Sequence, residues 1–412
     1  MELLRFLTAG SVDDGKSTLI GRLLYDSKAV SGDILEAIER STKNKADGPD
    51  LSLLTDGLRA EREQGITIDV AYKYFSTEKR KFIIADAPGH VQYTRNMVTA
   101  ASTADLIIIL IDARNGVVEQ TRRHTLIAAM LGIKEVVFAV NKIDLVDYDQ
   151  KVFESIETSA KQLARHLGIV GVSVIPVSAK EGDNIVYRSQ HINWYQGPAL
   201  LELLEDIQPE EAKSNVNALQ VQYVVRPMTD EHHDYRGFAG SVLSGKFVLG
   251  DVITVLPSGL KTGVKSISIG DQQLAKAVAG QAVTIELNDD IDISRGDTLV
   301  AGIQEPVLSS EFAANICWMD TKPLVAGTKW LLQHNSKRVK VVVKRIDYQL
   351  DIISGAQLKE TSLPLNGLGK VFIKTSEPLA ITGYQLNRKL GAAVLIDETS
   401  NATVGAITLD GE

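Results

Sequence analysis

The chain has 412 residues, of which 44% are hydrophobic and 23% are charged, and its formal net charge at pH 7 is −8. A chain this long exceeds one ordinary hydrophobic core, so we expect two or three domains, and the composition is that of a globular protein and does not indicate disorder. The acidic charge argues against a nucleic-acid partner, no apolar run approaches the roughly 20 residues of a membrane span, and the lone cysteine, Cys317, fits a reducing compartment, so we expect a cytoplasmic protein that does not contact membranes.

Six apolar segments in the first half of the chain predict β-strands. Most are continuous runs of Val, Ile and Leu, as expected of strands that are buried on both faces. Segments with a helical pattern, such as 16–27 and 124–132, lie between them. This alternation predicts an α/β domain in which a mostly parallel sheet carries helices on both faces. The predicted strands are residues 3–9, 68–75, 81–87, 106–113, 135–141 and 172–178.

The pattern changes after the polar segment 209–216, where alternating segments closely punctuated by glycine replace the helical ones. From there on we expect all-β structure in the form of two small barrels. The predicted domains are therefore 1–210, 211–305 and 306–412. The basic stretch 335–345 alternates charged residues with valine, which favours a barrel strand with one solvent-facing side over a nucleic-acid groove.

The segment GSVDDGKS has the spacing of a phosphate-binding loop between a strand and a helix. Gly10 and Gly15 let the backbone curl so that successive N–H groups point at phosphate oxygens, beside the positive end of the helix dipole. Lys16 is expected to reach the β- and γ-phosphates, and the Ser17 hydroxyl to bind Mg²⁺. The whole predicted loop is Gly10, Ser11, Val12, Asp13, Asp14, Gly15, Lys16 and Ser17.

A second motif, DAPGH, ends a predicted strand. The Asp86 carboxylate there can hold Mg²⁺ through water, and Gly89 can offer its N–H to a γ-phosphate. We expect His90 to orient the attacking water rather than to deprotonate it. Such a string alone is more often only a turn, and its place one strand after a phosphate loop favours the nucleotide interpretation. The predicted residues are Asp86, Ala87, Pro88, Gly89 and His90.

The third motif, NKID, ends another apolar strand and indicates a guanine site. The Asp144 carboxylate can accept hydrogen bonds from N1–H and the 2-amino group of guanine, and adenine lacks both donors. Asn141 can bond the base edge, Lys142 can pack along the ring plane, and the Ala179 backbone N–H can meet the guanine carbonyl. These residues favour GTP over ATP. The predicted residues are Asn141, Lys142, Ile143, Asp144, Ser178 and Ala179.

The segment EREQGITID, residues 61–69, lies between the first predicted helix and the second strand. Thr67 is predicted to give its hydroxyl to Mg²⁺ and its backbone N–H to the γ-phosphate, so that the loop is ordered with GTP and released after hydrolysis. Along the chain, the phosphate-binding loop is followed by Thr67, then by DAPGH and then by NKID. Four motifs in that order indicate a GTPase switch. The predicted metal ligands are Ser17, Thr67 and Asp86, and the predicted catalytic residues are Lys16, Thr67 and His90.

Together these motifs resemble those of the translation-factor GTPases, and within them the GTPase large subunits of heterodimeric bacterial sulfate adenylyltransferases. The resemblance is strongest over residues 4–145 and continues through WYQGPALLELLE, YRGFAGSVLSG and the closing segment GAAVLIDETSNATVGA. Two positions depart from the usual translation-factor loop, which carries His where Asp14 stands and Thr where Ser17 stands.

The resemblance implies a division of labour between two subunits. In that family, ATP and sulfate give adenosine 5′-phosphosulfate and pyrophosphate, and GTP hydrolysis on the large subunit drives this unfavourable step. The implied cofactors are GTP and Mg²⁺, with ATP and sulfate as substrates of the complex. Since the sequence has no Ser-Gly-Gly-x-Asp-Ser loop, a small ATP-pyrophosphatase-type subunit is the implied partner in a heterodimer. No second Gly-Lys-Ser/Thr loop is present either, so phosphorylation of the product is not expected.

Two alternatives from other classes remain open. An elongation factor that delivers aminoacyl-tRNA could share the three-domain plan, although Asp14, Ser17 and the segment LYDSK argue against it. A module that senses GTP without useful turnover is the other alternative, and the presence of Thr67 and His90 argues against that one.

Charged residues and histidines elsewhere allow two further interpretations. Two carboxylates beside a polyphosphate repel it, so Asp13 either holds a monovalent cation or, together with Asp14, points to solvent. His232 and His233 could bind a metal, but no third ligand is indicated and a polar loop tip is the simpler interpretation.

Overall fold

A computed structural model describes residues 2–29, 51–54, 69–89, 93–208, 216–227 and 235–410. The chain divides into two compact units, Met1–Glu210 with Ile352–Ala356 and Glu211–Asp351 with Gln357–Glu412. None of the described helices combines the length and the apolar character that crossing a bilayer requires. Four residues singled out from the sequence lie outside the described residues: Thr67, His90, His232 and His233.

The first unit is built around one six-stranded sheet. Its described elements, in chain order, are β1 (Leu3–Ala9), α1 (Lys16–Asp26), a 3-10 helix (Leu51–Leu54), β2 (Ala71–Ser76), β3 (Lys81–Asp86), α2 (Thr94–Ala101), β4 (Leu106–Asp112), α3 (Glu119–Met130), β5 (Glu135–Asn141), a 3-10 helix (Ile143–Val146), α4 (Gln150–His166), β6 (Gly171–Pro176) and α5 (Leu200–Asp206). The strand order is β2-β3-β1-β4-β5-β6, and all neighbours except β2 and β3 are parallel. The predicted α/β fold with a mostly parallel sheet is confirmed.

The second predicted strand is the exception to the parallel order. It starts at Ala71 rather than at residue 68 and pairs antiparallel with β3. The connection from Ser76 to Lys81 is a tight turn in which the Thr77 N–H donates to the Arg80 carbonyl at 2.9 Å. A connection this short joins only antiparallel neighbours, because parallel strands need a crossover.

Helix α4 is absent from the predicted elements although its sequence has a helical pattern. Phe153, Ile156, Ala160 and Ala164 are buried at spacings of three or four residues, as on one face of an amphipathic helix. The Asp149 carboxylate caps the helix by accepting from the Lys151 N–H at 2.7 Å. This helix packs beside β5 and β6 and supports the end of the sheet that carries NKID.

The parallel register brings the predicted motifs to one edge of the sheet. Thr8 near the end of β1 lies beside Asp86 of β3, and Asp112 of β4 lies beside Asn141 of β5. Behind this edge, β4 is buried along its whole length. The motifs therefore follow rigid, buried strands, which fixes the starting point of each functional loop.

The second unit consists of antiparallel strands. These are β7 (Asn217–Val225), β8 (Gly237–Ser244), β9 (Lys246–Val248), β10 (Val252–Leu256), β11 (Leu260–Ile269), β12 (Gln272–Gln273), β13 (Lys276–Val278), β14 (Ala282–Leu287), β15 (Thr298–Ala301), β16 (Val307–Trp318), β17 (Leu324–Val325), β18 (Lys329–His334), β19 (Lys337–Leu350), β20 (Gln357–Leu358), β21 (Ser362–Leu363), β22 (Leu368–Ile381), β23 (Ala392–Ile396) and β24 (Thr403–Leu409).

Two six-stranded barrels arise from these strands. The order β10-β15-β7-β8-β14-β11 closes through pairing of β10 with β11, and the order β18-β23-β24-β16-β22-β19 closes through pairing of β18 with β19. The two predicted all-β barrels are confirmed. In β19, Val339, Val341 and Val343 are buried while Arg338 and Lys340 are exposed, as the alternation of charge and valine predicts. The boundary between residues 305 and 306 stays a prediction.

Candidate nucleotide-binding site

The phosphate-binding loop joins β1 to α1 and turns sharply at Gly15. This residue has a left-handed conformation, with φ 91° and ψ 29°, and a Cβ added to it would lie 2.5 Å from Asn141 Nδ2. Only glycine satisfies both conditions. None of the described side chains caps the N-terminus of α1, so within the described structure its first N–H groups are available to an anion.

Lys16 is buried inside the loop, and its ammonium group is held by backbone carbonyls. Its Nζ donates to Ser11 O at 2.9 Å and to Gly10 O at 3.3 Å. Burial lowers the pKa of Lys16, and the Asp86 and Asp14 carboxylates act in the opposite direction. The loop thus presents a preorganised cation together with the helix N-terminus, a combination suited to a polyphosphate.

Asp14 does not point to solvent, so that interpretation of this residue is wrong. Its side chain is buried, and Oδ2 accepts a hydrogen bond from the Ser11 N–H. Burial raises the pKa of Asp14, while the Ser11 hydrogen bond and Lys16 oppose the shift. Asp13 is exposed, with φ 67°. The carboxylate of Asp14 closes the loop from inside, and cation binding by Asp13 stays a prediction.

The described part of the DAPGH motif, residues 86–89, lies against the phosphate-binding loop. The Asp86 carboxylate is buried and accepts from Thr8 Oγ1 at 3.1 Å. A Cβ added to Gly89 would lie 2.6 Å from both Gly10 O and Lys16 Nζ. The Gly89 backbone therefore occupies a position that any side chain would block, immediately beside the cation that is predicted to bind phosphate.

Helix α3 carries a hydrogen-bonded pair that the sequence predictions missed. Gln120 Nε2 donates to Gly89 O at 3.2 Å and lies 2.9 Å from His124 Nε2. Since the Gln120 amide donates to both atoms, His124 Nε2 must accept and its proton sits on Nδ1. That Nδ1 is buried and has no partner among the described residues. The spacing Gln-x-x-x-His on one helix face is the sequence signal for this pair.

On the guanine side, Asn141 connects two segments of the site. Its Nδ2 donates to Asp14 O at 2.7 Å, and its Oδ1 accepts from the Ala179 N–H at 2.9 Å. The side chain is 1% exposed. The Ala179 N–H, which the sequence suggests for the guanine carbonyl, here donates to Asn141. Asn141 thereby ties the phosphate-binding loop to the Ser178–Ala179 segment.

The Asp144 carboxylate carries the observation most specific for guanine. Its Oδ1 is inaccessible to solvent and has no hydrogen-bond partner among the described residues. An unpaired buried acceptor costs about 1–3 kcal/mol, more when it is charged. The N1–H and 2-amino groups of guanine are donors that would satisfy this carboxylate, and adenine offers neither of them at that edge. The residues present therefore fit a guanine nucleotide.

Lys142 is held by a carboxylate that sequence reasoning missed. Its Nζ lies 3.0 Å from Asp112 Oδ2 and also donates to Asp13 O. Arg114 binds the same carboxylate at 2.7 Å. Burial acts to raise the pKa of Asp112, but the hydrogen bonds from Arg114 and Lys142 outweigh it and hold this pKa well below its usual range. The signal in the sequence was the position of Asp112 near the end of the predicted strand 106–113.

Comparisons with known proteins agree with this geometry. The family model described as elongation factor Tu GTP binding domain matches residues 1–213, and one described as GTP-eEF1A C-terminal domain-like matches residues 311–408. The chain is 48% identical to sulfate adenylyltransferase subunit 1 of Shewanella woodyi and 50% identical to that of Saccharophagus degradans, over 98% of this chain and 86% of each relative. The chain belongs to the sulfate adenylyltransferase subunit 1 family. The resemblance predicted from the motifs is confirmed.

Other relatives of the family are longer. The chain is 49% identical to the bifunctional enzyme CysN/CysC of Mycobacterium tuberculosis (strain ATCC 25618 / H37Rv), over 98% of this chain. It spans 66% of the length of that protein. Among solved structures, Sup35 complexed with GMPPNP is 23% identical over 100% of this chain and 94% of that chain, with a TM-score of 0.45.

Burial of His124 makes the stability of the first unit depend on pH between neutral and mildly acidic conditions. Burial lowers the pKa of His124 from 6.5 to about 3, with Lys16 and Arg123 adding to the shift. Below pH 6.5, His124 binds a proton in the unfolded chain but stays neutral in the folded chain. The free energy of unfolding is therefore highest above that pH and decreases as the pH falls towards 3. We expect His124 to lower the free energy of unfolding of the first unit by about 1 kcal/mol between pH 7 and pH 5.5.

Hydrogen exchange of the slowest β4 amides at the two pH values measures this loss in the first unit, after correction for the intrinsic exchange rate. In a His124→Gln variant this loss of stability between the two pH values should disappear. Replacement of the exposed His166 by glutamine should leave the loss as large as in the wild-type protein. Equal pH dependence in the wild-type protein and the His124→Gln variant would contradict the prediction.

Proposed function

We propose that the protein is the GTPase subunit of a sulfate adenylyltransferase, in which GTP hydrolysis drives the formation of adenosine 5′-phosphosulfate and pyrophosphate from ATP and sulfate. Membership in the subunit 1 family supports this role. The single observation that carries the choice of nucleotide is Asp144, which follows Asn141 in the NKID motif and whose Oδ1 has no hydrogen-bond partner among the described residues. We place this activity in the cytoplasm.

In this proposal, the phosphates of GTP bind the N-terminal N–H groups of α1 and Lys16, which lies buried beneath them. Ser17 and Asp86, with Thr67, would hold Mg²⁺, and their oxygen atoms are the ligands that this hard cation prefers. Bound Mg²⁺ would neutralise charge on the phosphate oxygens as the bond to the γ-phosphate breaks. The Asp86 carboxylate is already oriented by Thr8 Oγ1.

Hydrolysis and switching are assigned to residues around the γ-phosphate. His90 would orient the attacking water, and Gly89 and Thr67 would donate their backbone N–H groups to the γ-phosphate. Loss of that phosphate removes both hydrogen bonds, so the two segments relax after hydrolysis. The contact of Gly89 with Gln120 gives this change a direct route to α3.

The name of the relatives, subunit 1, supports the existence of a second subunit. We assign the adenylyl transfer from ATP to sulfate to a separate small ATP-pyrophosphatase-type subunit, which forms at least a heterodimer with this chain. In this scheme the chain contributes GTP hydrolysis and the conformational change, and the partner contributes the ATP site.

The test is phosphate release from GTP by this chain with its small subunit, compared with mixtures that omit the partner, ATP or sulfate in turn. Hydrolysis that rises only when all three are present supports the proposal. Hydrolysis that ignores them and rises with ribosomes and aminoacyl-tRNA would assign the protein to the elongation factors instead. Turnover that none of these additions raises would leave only a GTP-sensing module.

A further inference from the structure

The guanidinium of Arg22 connects the helix that follows the phosphate-binding loop with the segment after β6. Arg22 lies in the second turn of α1, and its side chain is 19% exposed. Its Nε donates to Ala179 O at 3.3 Å, and its Nη2 donates to Lys180 O. The two consecutive carbonyls are thus bound by one rigid, planar group.

These hydrogen bonds fix the orientation of two peptide planes. In a trans peptide the C=O and N–H bonds point in opposite directions, so a carbonyl that faces Arg22 turns the N–H of the same peptide away from it. The N–H in the plane of Ala179 O belongs to Lys180, and the N–H in the plane of Lys180 O belongs to Glu181. The Glu181 N–H donates to Ser178 Oγ at 3.2 Å. The direction of the Lys180 N–H is therefore set by Arg22.

The surrounding contacts hold the guanidinium in place. Arg22 Nη1 lies 3.7 Å from Asp26 Oδ1 on the next turn of α1. A Cβ added to Gly182 would lie 3.5 Å from Arg22 Cδ, so the chain after Lys180 packs closely over the arginine. The Gly182 N–H in turn donates to Ser178 O at 2.8 Å. Arg22 is thus enclosed by its own helix on one side and by the Ser178–Gly182 turn on the other.

We propose that Arg22 is a positioning residue for guanine recognition: it orients the Ala179–Lys180 peptides so that a backbone N–H of this turn faces the 6-oxo group of the base. Asn141 already engages the Ala179 N–H, which leaves the peptide that Arg22 orients as the donor to this group. The proposal rests on the guanine site of the proposed function. It assigns the 6-oxo group to the turn that Arg22 holds and the N1–H and 2-amino groups to Asp144.

Binding of three diphosphates to the full-length chain tests this assignment. GDP serves as the reference, 6-thioguanosine diphosphate carries a weaker acceptor in place of the 6-oxo group, and inosine diphosphate lacks the 2-amino group. We expect the wild-type protein to prefer GDP over the thio analogue by about 10-fold, the value of one hydrogen bond. In Arg22→Met this preference should fall to within about 2-fold, while the preference for GDP over inosine diphosphate stays unchanged.

Two further variants separate positioning from general damage. Arg22→Lys keeps one charge but cannot bridge both carbonyls, so its preference for the 6-oxo group should be intermediate. Lys161→Met removes an exposed pair with Glu157 on α4 and should bind all three diphosphates like the wild-type protein.

Three outcomes would overturn the inference: Arg22→Met retains the full preference for GDP over the thio analogue, loses both preferences equally, or the wild-type protein does not discriminate at position 6. Because the assay needs neither sulfate nor a partner, these outcomes leave the proposed function standing. A wild-type chain that binds no guanine nucleotide would overturn both.

Discussion

Substitution of Asp144 by asparagine is expected to weaken GDP and GTP binding by at least about 100-fold, because two hydrogen bonds to a charged acceptor are worth about 3 kcal/mol or more together. Asp144 Oδ1 has no hydrogen-bond partner among the described residues, so no other contact would replace the hydrogen bonds to the base that the substitution removes. With Asp144 assigned to the base edge, the asparagine amide would place an N–H donor there. It should therefore favour xanthosine diphosphate, in which a carbonyl replaces the 2-amino group.

Titration of Asp144→Asn with GDP and with xanthosine diphosphate measures both effects in one experiment. Asp147, three residues further on, is exposed and serves as the matched control, since Asp147→Asn makes the same chemical change outside the site. The control should bind GDP like the wild-type protein. If Asp144→Asn bound GDP normally, or lost GDP without gaining xanthosine diphosphate, the assignment of Asp144 to the base edge would be wrong.

The strand ends explain why so much of the site could be predicted from the sequence. Each motif follows an apolar run, and buried parallel strands end at a common edge, so Gly10, Asp86 and Asn141 had to lie near one another once the strands were recognised. The barrels were predictable for a similar reason. The alternation of valine with charged residues along β19 indicates a strand with one buried face and one exposed face, and this pattern can be read without knowing which strands pair.

The connections between motifs were not predictable, because they join residues without a periodic relation. Asn141 binds Asp14 across 127 positions, and Arg22 binds Ala179 across 157. The orientation of Asp14 was missed because a charge in a glycine-rich loop is usually solvated, whereas here the Ser11 N–H satisfies the buried carboxylate. Such contacts depend on how loops close over one another rather than on local pattern.

These hydrogen bonds connect motifs that lie far apart in the sequence. Asn141 holds the phosphate-binding loop against Ala179 from one side, and Arg22 holds the same turn from α1. These hydrogen bonds join the phosphate-binding loop, α1 and the Ala179–Lys180 segment to one another. Gly89 lies close to Lys16 and accepts a hydrogen bond from Gln120, which joins the DAPGH segment to α3.

Gly89→Ala should reduce stimulated GTP hydrolysis by at least about 100-fold, the usual effect of losing one backbone donor to developing charge. The added Cβ would lie 2.6 Å from Gly10 O and from Lys16 Nζ, and the backbone oxygen cannot move without opening the phosphate-binding loop. The Gly89 segment must instead retreat, which takes its N–H away from the γ-phosphate. Phosphate release with partner, ATP and sulfate measures the loss.

Because Gly89 is assigned to the γ-phosphate, the variant should lose more affinity for a non-hydrolysable GTP analogue than for GDP. Gly405→Ala is the matched control: the new Cβ would lie 3.3 Å from Ile316 Cδ1 and 3.4 Å from Trp318 Cε3, and side chains can yield where a backbone oxygen cannot. The control should keep its turnover. Equal loss of GDP and of the GTP analogue in Gly89→Ala would show that the substitution acts on the loop as a whole, and the assignment of Gly89 as the γ-phosphate sensor would then fail.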